Sequence, residues 1–176
     1  EDWFVAIEPS YLVSKGNRIP IEGSARTVLT IVKAKDGEIF PLEKSEEILV
    51  KRSQSSILKL ATQNAERLFA NLALKPQYVR DRKKVIQYAL LESESPFTAS
   101  LALQPGFAEM FRSTLGPDLL VAMPTRYQVL VFSKQDDAHL RLSEEIIGAY
   151  LSSNHPVSRE IFSLGKEGLR SIGYLE

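Results

Sequence analysis

Glu92-Ser93-Glu94-Ser95 sets two carboxylates beside two hydroxyls at the end of an expected strand, Lys84–Leu91. Strand alternation would aim Glu92 and Glu94 the same way. Carboxylates paired at a sheet rim suit general-base catalysis or cation binding, and the same residues also fit a solvated strand end entering a loop. The second candidate is Arg126. It stands at the tip of an expected hairpin whose flanks are almost uncharged, and its guanidinium, with Thr125 beside it, could bind a carboxylate or phosphate bidentately. A hairpin tip needs a polar residue in any case.

Other chemistries lack their residues. The chain has no cysteine and only two histidines, His139 and His155, so thiolate catalysis and cysteine-ligated zinc or iron–sulfur centres are excluded, and no metal or cofactor is expected. His139 falls within an expected helix and reads as a surface residue. His155 precedes Pro156 at a helix end, where a charge or hydrogen bond to the last turn is the ordinary role. Gly165-Lys166 lacks the earlier glycine and the following Ser/Thr of a phosphate-cradling loop, and no Gly-x-Ser-x-Gly elbow is present. Arg80, Arg82, Lys83 and Lys84 form a basic cluster interrupted by Asp81, which reads as an exposed loop or an anion patch.

The chain that must position these groups has 176 residues, enough for one core without metal or disulfide staples. Its 44% hydrophobic and 25% charged residues describe an ordinary globular protein. With 22 basic and 22 acidic residues there is no net field to draw it to a phosphate backbone, so nucleic acid is not the expected partner. No apolar run approaches a membrane span, and no membrane insertion is expected. The lack of cysteine fits a reducing, cytoplasmic compartment. The first residue is Glu1 rather than Met, which reads as the loss of an upstream segment.

Hydrophobic periodicity gives the elements. Trp3–Ile7 reads as a strand or as the end of a preceding element, Arg18–Ile21 as at most a brief edge strand, and Thr27–Ala34 as a central strand largely apolar on both faces. Asp36-Gly37 supplies a tight turn before Ile39–Leu42. From Ser53 to Leu72 the period is helical, with Ile57, Ala61, Ala65, Leu68 and Leu72 inward. Short helices are expected at Phe97–Leu103 and Gly106–Leu115, the latter stopped by Gly116-Pro117. Asp118–Ser133 reads as a hairpin turning at Pro124-Thr125-Arg126-Tyr127. A helix then follows Asp136-Asp137, with Leu140, Ile146, Ile147 and Tyr150 inward. Ser158 is taken as the N-cap of a last helix through Leu164, and Gly168–Leu175 as a final strand.

The order of several segments resembles the bacterial DUF1444 (UPF0354-type) family. These are Val28–Val32, Phe40-Pro41-Leu42, the helix Ile57–Ala65, Phe97–Leu101, Asp118–Arg126, and His155-Pro156-Val157-Ser158 with Ile161-Phe162. Tyr127 departs from the small or acidic residue that the family pattern has after the arginine. The resemblance implies a fold and no activity. It covers residues 27–176 as one domain and leaves 1–26 as an unmatched extension or strand.

The element order predicts an α+β domain with a mainly antiparallel sheet and helices packed on one face. A doubly wound parallel sheet is the alternative. For function, the sequence favours a non-catalytic protein-binding or adaptor domain. It would use a sheet edge or the groove beside the Ser53–Asn71 helix to engage a protein partner or a second copy. The alternative is a small hydrolase or transferase with Arg126 on an anionic substrate and Glu92 or Glu94 as base.

Overall fold

A computed structural model describes residues 3–43, 45–47, 54–72 and 74–176; Ser53, the expected start of the long helix, lies outside them. The chain forms an antiparallel α+β fold whose strands divide between two sheets. The small sheet is built around β3 (Thr27–Lys35), which is apolar on both faces and pairs with β1 (Trp3–Pro9), β2 (Ile19–Pro20) and β4 (Glu38–Phe40). β1 runs antiparallel to β3 from Trp3 opposite Lys33 to Pro9 opposite Thr27, so the N-terminal segment is part of this sheet. Asp36 and Gly37, at φ 52° and 81°, make the tight turn into β4 that Asp-Gly favours.

The large sheet has the order β10-β9-β7-β8-β6-β5, with β5 Gln77–Arg80, β6 Ile86–Glu92, β7 Leu119–Thr125, β8 Gln128–Ser133, β9 Glu160–Gly165 and β10 Gly168–Tyr174. Its central strands are buried on both faces, which explains the unbroken apolar run Leu119–Met123. Leu119, Val121, Met123, Val129, Val131 and Phe162 point into the main core with Ile7, Phe107 and Phe111. The alternate residues Leu120, Ala122, Leu130, Phe132 and Ile161 meet Ala138 and Ile146 on the other face. The helices include α1 (Gln54–Asn71), α2 (Glu109–Leu115), α3 (Ala138–Arg141) and α4 (Ser143–Ser152). Ala61 and Ala65 of α1 face in as the 3.6-residue period requires, and Gly116 at φ 91° ends α2 with its N–H on the Arg112 carbonyl.

Three readings need correction. Ser158 does not begin a helix. Its hydroxyl accepts the Glu160 N–H, as an N-cap would, but the chain continues as β9 because Ile161 and Phe162 are buried on opposite faces between β7 and β10. The basic cluster is an exposed loop, as expected, and it closes a hairpin: β5 pairs with β6, and Asp81 accepts the Lys83 and Val85 N–H groups while Lys84 takes φ 64°. The helix after Asp136-Asp137 is broken at Leu142, which leaves Leu140 56% exposed. The β7–β8 turn consists of Arg126 and Tyr127 alone. Pro124 and Thr125 belong to β7, where a register shift between Ala122 and Thr125 accommodates the proline that cannot donate to the ladder.

Candidate functional site

The β7–β8 turn is held from several sides. Arg126 N–H donates to the His155 carbonyl (3.1 Å), the Arg126 carbonyl accepts from Ala99 N–H (2.9 Å), and the Tyr127 carbonyl accepts from Ser93 N–H (3.2 Å). Thr125 Oγ1 accepts the Tyr127 N–H at 3.2 Å, so its expected ligand-binding atom serves the turn.

Arg126 therefore reaches not into solvent but across to the small sheet. Its Nε and Nη2 donate to the two carboxylate oxygens of Glu8, at 2.8 and 2.9 Å, in a fork-to-fork pair. Glu8 is 3% exposed. Burial pushes its carboxyl above the ordinary value, against the opposing pull of Arg126 and, more weakly, His155. Arg126 Nη1 also lies 3.4 Å from His155 Nδ1. The Tyr127 ring meets His155 edge-on at 5.8 Å.

The Glu8–Arg126 pair forms one wall of a cleft of about 320 Å³ whose other lining includes Thr30, Asn17, Leu12, Val13 and Val32. Leu12, 52% exposed, stands at this cleft; Tyr11, its neighbour in the same helical turn and 64% exposed, lines a second one. That second cleft, about 270 Å³, also contains Arg26, Arg159, Tyr150, Tyr174 and Ser158. The Ser10–Leu12 turn is thus an apolar ridge between two clefts.

Beneath the second cleft lies another buried glutamate, Glu160, 4% exposed. Its Oε2 accepts from Ser24 Oγ (2.7 Å) and Thr27 Oγ1 (2.5 Å), and Oε1 accepts from Ser171 Oγ (2.9 Å). Ser158 Oγ lies 2.7 Å from Thr27 Oγ1 and extends the network. Like Glu8, Glu160 joins the two sheets.

The carboxylates singled out from sequence lie elsewhere. β6 ends at Glu92, so alternation does not extend to Glu94, and both are exposed. Glu92 accepts from Gln128 Nε2 at 2.6 Å. The hydroxyls beside them turn the backbone: Ser93 Oγ accepts Ser95 N–H and Ser95 Oγ accepts Phe97 N–H. Neither glutamate lines the cleft that contains Arg126, whose carboxylates are Glu8 and Glu47. His139 is half-buried with its ring edge-on to Phe132, and its Nδ1 is buried without a hydrogen-bond partner among the described residues. Among the described residues there is no cluster of three or more potential metal ligands. The expected groove beside α1 is present, about 310 Å³, lined by Val5, Leu29, Leu58 and Ala65 among others.

Sequence reasoning missed Glu8 and Glu160. The available signal was a carboxylate embedded in an apolar strand: Glu8 follows Trp3-Phe4-Val5-Ala6-Ile7, and Glu160 precedes Ile161-Phe162. A charge in such a position requires a buried partner. No family model, curated protein or solved structure matches the chain, and among the described residues no helix is long and apolar enough to cross a membrane.

Proposed function

We propose that this is a non-catalytic protein-binding domain that docks a partner across the Tyr11–Leu12 ridge. The observation that carries this reading is the exposure of the ridge itself. Tyr11 and Leu12 are 64% and 52% exposed between two clefts, and Leu151, next to the cleft-lining Tyr150, is 70% exposed. Large apolar side chains grouped at clefts mark contact surfaces more strongly than scattered ones do. The α1 groove is a weaker candidate, because its apolar residues Val5, Leu29 and Leu58 are already half-buried. The alternative, an enzyme acting on an anionic substrate, requires Arg126 to leave Glu8. Membership of the DUF1444 family belongs to the same proposal, rests on the order of segments, and assigns no activity.

The test places a photo-crosslinking residue at Leu12 and, as a control, at the exposed Lys166 in the β9–β10 turn. One dominant adduct, formed from Leu12 and abolished when Leu151→Glu is added, supports the ridge. Identical products from both positions would exclude it.

A further inference from the structure

The second cleft differs from the first in its charge. It is lined by Arg26 and Arg159 and, among the described residues, by no aspartate or glutamate. Both guanidiniums face one aromatic ring: the Arg26 Cζ lies 3.9 Å and the Arg159 Cζ 4.7 Å from the Tyr174 ring centroid, and Arg159 also lies 5.5 Å from that of Tyr150. Stacking of this kind fixes the plane of an arginine while leaving its edge N–H groups for a ligand. Among the described residues, neither guanidinium lies within 4.0 Å of a carboxylate.

The nearest buried acid is committed elsewhere. Glu160 receives the hydroxyls of Ser24, Thr27 and Ser171. Arg159 itself donates through Nη2 to the Tyr174 hydroxyl, while its Nε is buried without a hydrogen-bond partner among the described residues. A cationic N–H left this way retains unused donor capacity. Two oriented cations and three tyrosines (Tyr11, Tyr150 and Tyr174) lining one concavity match a tetrahedral oxyanion carried on an aromatic or peptide group.

We propose that the cleft between Arg26, Arg159 and Tyr174 binds a phosphate-type oxyanion. This rests on the protein-binding reading only for the source of the anion, a phosphorylated side chain of the docked partner, and the anion site itself is testable without any partner. The probes are phenyl phosphate and inorganic phosphate, titrated into the full chain and followed by amide chemical shifts. Shifts are expected at the residues around Tyr174, with affinity reduced about tenfold in Arg26→Gln and in Arg159→Gln and unchanged in Arg67→Gln, a variant of an exposed α1 arginine.

Arg26 is exposed, so its variant should fold even if the Arg159 variant does not. Tighter binding of phenyl phosphate than of inorganic phosphate supports a phosphorylated partner, and equal binding supports a free-ion site. Absence of saturable binding, or equal loss in Arg67→Gln, overturns the proposal. Leu12→Glu should leave phenyl phosphate binding intact, which separates failure of the ridge from failure of the anion site.

Discussion

Glu8 and Glu160 are both almost fully buried where the small sheet meets the large one, yet they are accommodated by opposite means. Glu8 is opposed by a full positive charge, Arg126, while Glu160 is surrounded by the neutral hydroxyls of Ser24, Thr27 and Ser171. An ion pair is sensitive to the loss of either member, because the survivor remains charged in a poorly solvated place. A ring of hydroxyls shares its task among several donors and degrades in smaller steps. The first arrangement should be brittle and the second tolerant.

The largest test of that contrast is Arg126→Ala, expected to lower unfolding free energy by about 3–5 kcal/mol in urea titration, since Glu8 is then left buried and unpaired. The same variant should recover stability on acidification, because the isolated carboxyl takes a proton more readily. A loss below about 1 kcal/mol would show that the pair contributes no more than a surface ion pair.

Gly23→Ala probes the hydroxyl ring through its backbone. Gly23 sits at φ 75°, and a Cβ there would lie 2.6 Å from the Ser171 carbonyl oxygen, so a cost of about 2 kcal/mol is expected from strain and displacement of Ser171. Glu160→Gln should cost less, about 1–2 kcal/mol, because one acceptor oxygen survives while the amide end opposes a hydroxyl donor. If Glu160→Gln destabilises as much as Arg126→Ala, the contrast between brittle and tolerant fails.

The smallest expected effect is a slope. Burial raises the Glu8 carboxyl above its ordinary 4.5, so the folded state holds that proton more tightly than the unfolded chain does. The stability linked to this group is therefore complete below the unfolded value and declines as pH rises through the folded one. Glu8→Gln removes that decline. Chemical denaturation across mildly acidic pH should show wild type gaining on the variant as pH falls; parallel profiles would mean that Arg126 cancels the effect of burial.

The sequence made the parts of this arrangement visible more readily than their encounter. Thr27–Ala34, Asp36-Gly37, the α1 face and the β7–β8 hairpin are legible because their signals are local: period, turn chemistry and an apolar run bounded by breakers. Arg126 was singled out for its isolation among apolar neighbours, and it does have a buried charged partner. The partner is 118 residues away, and no local pattern specifies it. β9 was misread because Ser158 makes the same hydroxyl-to-backbone bond in a strand entry as in a helix cap, and only the neighbours β7 and β10 decide between them. β5 was missed because Gln77–Arg80 is a four-residue strand running straight into the basic loop, and its pairing, Tyr78 with Ala89, is not a local signal.

The two glutamate clasps also bear on the order in which the chain can organise itself. Glu8–Arg126 spans 118 residues, Glu160–Thr27 spans 133, and the Ile7 N–H to Ser100 bond spans 93. Glu8–Arg126 cannot close until the β7–β8 turn exists, and closure over such distances makes folding slow. The small sheet should accordingly add late to a preformed large sheet. Its β1 amides would then exchange with solvent through an opening that leaves β7 and β8 protected.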